Sequence, residues 1–407
     1  MLLKLAWRNL WRNSRRSLIV LLSIVVGQIA ILLYDSLSAG MILQMLDNQI
    51  GAHVSHMQIH KAGFNDNQIL QNYLPDAERV AQALQSDPAV AHFSKRVICF
   101  GILSSATGSS GINMIGIQPE AESQITDIKS SMIDGQYLSG GRGEILIGKR
   151  LAEKLDVSIG DKVVAMASKL DGEVGSELFR VTGIFRTVDS EFDKTAMYVP
   201  IDNAREMLGL GEHLSEFAVI AKNLDALPDL KKRLEAQLNA SGETYEILTY
   251  RELLPLLVMQ VDVYGQAVII FYAIIGLAMV FGIVNAMLMS VFERIREFGV
   301  LMAVGMRANR LFRMVMLEAL MLGMVGTVTG VVIGYLLYLP LASAGIDLSA
   351  FSEGLNSFGV GTTIYPRLFA SSIISALLVV PVIAVLAAVY PAMKAIRLTP
   401  VDAVRHA

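Results

Sequence analysis

Cysteine is almost missing from this chain: Cys99 stands alone among 407 residues. A single thiol excludes an intrachain disulfide and any zinc site built on cysteines. Charge is scarce as well, at 17% Asp, Glu, Lys and Arg, and the formal net charge is only −3. No basic patch interleaved with aromatic residues occurs, so nucleic acid is not an expected partner. Aromatic residues make up 7%, and both tryptophans, Trp7 and Trp11, fall near the start. No Ser/His/Asp set sits at a recognisable nucleophile elbow, so no catalytic centre and no cofactor of its own is expected.

What the chain has instead is apolar length. Hydrophobic residues reach 53% and the mean hydropathy is +0.51, too apolar for an ordinary soluble enzyme. Long apolar runs at 17–38, 264–292, 311–341 and 367–391 each meet the roughly 20 residues a helical span needs. Lysine and arginine count five before the first run, five across the 293–313 turn that joins the second run to the third, and three after the fourth; the 342–366 connection has none. Positive residues collect on the cytoplasmic side. Both termini and the 293–313 turn are therefore expected inside, and residues 39–263 outside. Residues 1–16 put Lys4, Arg8, Arg12, Arg15 and Arg16 on one helix side and Leu3, Trp7, Leu10 and Trp11 on another. That pattern suits an uncleaved helix lying on the membrane surface.

The turn between the second and third spans is dense in charge: Glu293, Arg294, Arg296 and Glu297, then an amphipathic piece 298–306, then Arg307, Arg310 and Arg313. Charges at the centre of a bilayer are costly, so this elbow can only serve a partner in the aqueous phase. In the third span Gly326, Gly330 and Gly334 recur every four residues, a spacing that lets another helix come close. The neighbour is either a span of the same subunit or one of a second subunit. Asp35, Glu318 and Asn285 are polar groups in or near spans, where interfacial pairing is weighed against ion or proton handling.

The 39–263 region reads as mixed α/β. Strands are expected at 54–60, 93–105, 112–117, 216–221 and 245–248, and helices at 76–85 and 227–238. An insert over 119–211 has its own strands at 144–147, 162–167, 179–185 and 196–199, with helices at 150–155 and 201–208. The fold class is thus an α-helical membrane protein of four transmembrane helices, plus a mixed α/β extracytoplasmic domain with a β-rich insert between spans one and two. Its parts are 1–38, the outer domain 39–263 (core 39–118 and 212–263, insert 119–211), and 264–407.

Three stretches carry a resemblance. Asn285, the run Glu293-Arg294-Ile295-Arg296-Glu297-Phe298-Gly299, Ala303 with Gly305, and Glu318-Ala319 resemble the core motif of the FtsX-like permeases. Leu5-Ala6-Trp7-Arg8-Asn9-Leu10-Trp11-Arg12 resembles the opening helix of that family. Tyr390-Pro391-Ala392, Ala395 and Pro400-Val401-Asp402-Ala403-Val404-Arg405 resemble its close. These are the membrane subunits of MacB-type (type VII) ABC transporters. The resemblance implies a separate cytoplasmic ABC ATPase dimer holding two permease subunits, as a homodimer or heterodimer. It casts Glu293, Arg294, Arg296, Glu297, Arg307 and Arg310 as the coupling residues. Size and span number are similar to the lipoprotein-releasing (LolC/LolE-type) permeases, which implies lipoprotein cargo and a periplasmic carrier. Apolar residues at the outer ends of spans one and two, among them Met41, Met45, Leu256 and Met259, would then line a lipid pocket or simply pack the core. The carrier-recruiting loop of such permeases falls at 168–178, which here is short and has neither proline nor aromatic residue. A MacB-like efflux permease and an FtsX-like activator of a cell-wall hydrolase stay open.

Some fragments mislead. Gly143 to Lys149 imitates a phosphate-binding loop, but Arg150 stands where Ser or Thr must hold Mg²⁺, and the intervening residues are strand formers. His53, His56 and His60 do not share one strand face, so surface or interface roles are expected over metal binding. Asp189, Glu191 and Asp193 alternate like calcium ligands, yet the glycine and distal glutamate of an EF-hand are missing. A solvated loop is expected there.

Overall fold

The computed structural model describes residues 14–239, 244–351, 354 and 361–396. The basic opening helix and the closing motif beyond 396 lie almost wholly outside the described residues. Helix α1 (Ser14–Gln49) takes 36 residues without a proline, well beyond the expected 17–38. It continues as a single π-turn, Ile50–Val54. The Ser55 N–H closes that turn on the Ile50 carbonyl at 3.0 Å, and Ser55 itself takes a positive φ of 65°. The chain divides into two compact units, one of 1–43, 260–347 and 363–407, the other of 44–259 and 348–362.

In the outer unit β1 (Met57–Lys61) is followed by α2 (Ala77–Ser86), β2 (Val90–Ser104), β3 (Ser109–Ile117), the short α3 (Pro119–Glu122) and β4 (Met132–Gly135). Then come β5 (Glu144–Gly148), α4 (Lys149–Leu155), β6 (Lys162–Ser168), β7 (Val174–Phe185), β8 (Ala196–Pro200) and α5 (Ile201–Leu208). The unit closes with β9 (Glu216–Ala221), α6 (Leu227–Leu238), β10 (Tyr245–Thr249) and α7 (Tyr250–Leu253). Asp76 starts α2 by accepting the Arg79 N–H at 3.2 Å, relieving one orphan donor of the first turn. Helix α6 buries Leu227, Leu230, Leu234 and Leu238, a stripe at helical spacing.

The strands form one ten-stranded sheet. One end runs β10-β1-β9-β2, all antiparallel. Alternation divides its faces. Met57, Ile59, Phe217, Val219 and Ile247 enter the core with α2 and α6 residues, while Gln58, His60, Ser94, Arg96 and Glu216 are buried on the opposite face. At the other end β2 pairs with β3, β3 with β8, β8 with β5, β5 with β7, β7 with β6, and β6 returns to β2. Six strands thus close into a ring. The insert is therefore no separate sheet, because the core strands β2 and β3 complete it. Strand β2 serves both ends, pairing Val90–Arg96 with β9 and Gly101–Ser104 with β6. Gly101 permits this: a Cβ there would lie 2.5 Å from the Met166 carbonyl. Neither α3 nor β4 is anticipated above, since Met-Ile-Asp-Gly reads as a turn.

The membrane unit resumes with α8 (Pro255–Glu293), the short α9 (Ile295–Ala303), α10 (Ala308–Ala344), the two-residue strands β11 (Ile346–Asp347) and β12 (Thr363–Ile364), and α11 (Ala370–Ile396). With α1, helices α8, α10 and α11 are the four long and apolar enough to cross a membrane. Glycines set their contacts within this unit. Added Cβ atoms on Gly326, Gly330 and Gly334 would meet the side chains of Ile24, Gln28 and Leu32 at 2.7, 2.6 and 3.0 Å. The glycine stripe therefore seats α10 on α1 within the chain. Gly27 likewise faces Met279, and Gly323 faces Ala384 and Pro381.

Candidate functional site

The elbow is built from a break, a short helix and a capped turn. Helix α8 stops at Glu293, and Arg294 leaves the helical region with φ −101° and ψ 12°. Helix α9 then turns Phe298 and Gly299 inward and Val300 outward. It ends in a Schellman cap: the Met306 N–H reaches the Leu301 carbonyl and the Gly305 N–H reaches Met302, both at 3.0 Å. Gly305 supplies the positive φ of 99° that this cap needs. Arg307, extended, opens α10.

Arg294 does not face outward with its neighbours. It is 7% exposed, and its Nη1 donates to Glu318 Oε1 and Oε2 at 3.2 and 3.1 Å. Its Nε donates to Glu297 Oε2 at 3.3 Å, and the guanidinium lies 5.0 Å over the Phe298 ring. The pair borders a cleft of about 30 Å³, room for one or two waters, lined by Ser17, Ser290, Arg294, Phe298 and Glu318 among others. Arg294, one of the six expected coupling residues, is thus a buried tie between the elbow and α10. The other five residues of that set, Glu293, Arg296, Glu297, Arg307 and Arg310, are exposed. Glu318 finds its partner across 24 residues. Asp35 lies near the Tyr272 hydroxyl, and Asn285 faces outward from α8.

A second buried arginine lies in the outer unit and has no counterpart in the sequence expectations. Arg96 is 3% exposed. It gives Nε and Nη2 to Glu122 at 2.6 to 3.2 Å, and Nη1 to Glu216 Oε1 at 2.9 Å. Strand pairing sets Arg96 opposite Glu216, Glu216 opposite His60, and His60 opposite Glu246, a rung of ionisable groups across four strands. His60 Nε2 is 3.3 Å from Glu216 Oε2. Burial lowers the His60 pKa to about 4. Burial also raises that of Glu216, with Arg96 opposing.

The misleading fragments resolve physically. The 144–148 stretch is strand β5 and Arg150 lies in α4, so no phosphate cradle forms there. His53 stacks on Phe192, His56 Nδ1 accepts the Ala221 N–H at 3.1 Å, and His60 belongs to the rung. No cluster of three metal-type ligands occurs among the described residues. The 189–193 loop is not merely solvated: Asp193 is 2% exposed and accepts from the Thr187 N–H and hydroxyl. Burial raises its pKa to about 6 against those hydrogen bonds.

Two family descriptions match the chain: the FtsX-like permease C-terminal domain over residues 269–400 and the MacB-like periplasmic core domain over residues 17–237. The chain belongs to the MacB/FtsX-type ABC transporter permeases. Permeases of this type work with cytoplasmic ATPases. Among relatives, the lipoprotein-releasing system transmembrane protein LolC of Xylella fastidiosa is 24% identical over 349 residues, 81% of each chain. The macrolide export ATP-binding/permease protein MacB of Mannheimia succiniciproducens is 23% identical, covering 96% of this chain and 58% of that protein. The crystal structure of the MacB periplasmic region from Actinobacillus actinomycetemcomitans covers 55% of this chain and 97% of its own, at 16% identity and a TM-score of 0.37.

Among the residues suggested for a lipid pocket, Met45 is 3% exposed. Met41 is half-buried, and only Leu256 and Met259 are open, at 79% and 59%. The 168–178 connection shrinks further, because β7 begins at Val174 and leaves only the tight turn 169–173.

Proposed function

We propose that this permease is a lever moved by a separate ABC ATPase, with both termini and the α9 elbow in the cytoplasm and the 44–259 unit outside. The observation that supports this is the elbow itself. Five charged side chains face outward along the elbow, from the end of α8 through α9 to the start of α10, and its inner side is fastened to α10 through Arg294 and Glu318. A partner gripping Glu293, Arg296, Glu297, Arg307 and Arg310 would move α10 with it, and the glycine-packed seam would carry the motion to α1. Two such subunits would act on an ATPase dimer, with no nucleotide, cofactor or catalysis in the permease. The work falls on a lipid-anchored protein released from the outer leaflet, as the likeness to LolC over most of both chains supports. The tight 169–173 turn leaves no recruiting loop for a carrier on this subunit.

Reversing Glu293 and Glu297 to arginine should abolish stimulation of ATP turnover by the partner ATPase while membrane insertion is unchanged. Surviving stimulation would overturn the coupling role of the elbow. Cargo is read separately, by purification from the native membrane and mass spectrometry of what remains bound. A lipoprotein in quantity supports release. An outer adaptor in its place supports export, and a coiled-coil hydrolase activator supports signalling.

A further inference from the structure

The C-terminal end of a long helix leaves its last carbonyls without intrahelical donors, and in α1 the outer unit supplies them one by one. The Gly51 carbonyl accepts the Asp127 N–H at 2.8 Å. The His53 carbonyl accepts Arg96 Nη1 at 2.6 Å, and the Val54 carbonyl accepts Gln58 Nε2 at 3.0 Å. Ser55 Oγ, on a buried residue of positive φ, lies 3.5 Å from Arg96 Nη2. The helix end thus carries its negative dipole onto a buried guanidinium, itself fixed by Glu122 and Glu216. Donors come from β1, β2 and the segment after α3, three separate pieces of the fold.

The return path differs in kind. After the capping box of Thr249 and Glu252 on α7, Leu254 leaves helical geometry at φ −119° and ψ 56°. Pro255 then begins α8, with Leu256 and Met259 open to their surroundings. The entering helix is held from several sides, whereas the leaving helix starts after a break.

We infer that Arg96, locked by Glu122 and Glu216, is a positioning residue that sockets the end of α1 into the sheet, so that movement of the first span reaches the outer unit through α1 while the Leu254–Pro255 joint gives way. This rests on the reading of the chain as a driven lever. The measurement below needs no ATPase, so its failure is distinguishable from failure of that reading.

The test is pulsed electron-spin distance measurement on the full chain in lipid nanodiscs, in a Cys99→Ala background. Nitroxide labels on Asp47→Cys in α1 and Lys232→Cys in α6 report the socket. A second pair, Lys162→Cys in β6 with Lys232→Cys, reports the fold of the outer unit alone. The 47–232 distance should be narrow in the otherwise native chain. It should broaden in Arg96→Met/Glu122→Gln/Glu216→Gln, which removes the guanidinium without stranding a buried charge, while the 162–232 distance holds. A 47–232 distribution as narrow as native in that variant overturns the socket. If the triple variant loses the 162–232 distance, Gln58→Leu decides instead, since it frees only the Val54 carbonyl. Broadening there supports the socket and native width overturns it. In the assembled transporter, the folded socket variant should retain ATPase stimulation and lose cargo release, whereas loss of stimulation in parallel with release overturns a role confined to the outer end.

Discussion

Two buried arginines hold this molecule together in different ways. Arg96 answers to two carboxylates that are themselves 0% and 1% exposed, and also to a helix-end carbonyl. Arg294 answers to Glu318, at 8% exposure, and to Glu297, which is exposed. Taking a charge out of water costs several kcal/mol unless pairing and hydrogen bonds offset it. The Arg96 cluster is therefore a closed account in which no member can be dropped. The Arg294 tie sits at the edge of a small cleft and has an exposed partner in Glu297. One cluster is buried throughout, and the other has an exposed member.

The contrast can be broken most severely at Arg96. Arg96→Met strands Glu122 and Glu216 without a counter-charge and should destabilise the outer unit by about 3–5 kcal/mol, read as a lowered denaturation midpoint of the purified chain. Next comes acid. His60 is held neutral by burial, with its pKa lowered from 6.5 to about 4. The folded unit thus binds fewer protons than the unfolded one between those values, and stability is complete above pH 6.5 and lost as pH falls toward 4. That loss amounts to up to about 3 kcal/mol, and His60→Gln should remove it from a melting series over this range.

Arg294→Met should cost less, about 1–3 kcal/mol, because Glu318 borders the cleft and Glu297 is exposed. Arg294→Met/Glu318→Met should recover most of that stability in detergent melts without restoring ATPase stimulation. A loss at Arg294 as large as that at Arg96 would erase the distinction between the two sites. Smallest is the exposed face: Arg307→Ala and Arg310→Ala should each leave stability within about 0.5 kcal/mol, and their effect should be confined to ATPase affinity in a binding titration.

Local pattern carried most of the architecture. The repeat of Leu227, Leu230, Leu234 and Leu238 marks α6 to its boundaries, and the four apolar runs mark the spans, although α1 and α8 extend well past them. The family motif points to the elbow, yet it cannot say which of its charges turns inward. That depends on Glu318, 24 residues away. Arg96 was hidden for the same reason: its carboxylates are 26 and 120 residues distant, and nothing near Arg96 distinguishes it from the lysine before it. The ring of strands is likewise a product of non-local pairing. Strand β6 reads as an ordinary hairpin arm, and only its second edge on β2 reveals closure.

That closure governs how the outer part of the protein can be approached. Along β2, β3, β8, β5, β7 and β6 each strand already has a neighbour on both sides where the cylinder is complete, so main-chain donors and acceptors are spent. A visiting polypeptide cannot dock there by adding itself as one more strand. Recognition along these six strands works through side chains and turns, while β4, the last strand of the sheet order, keeps one edge open.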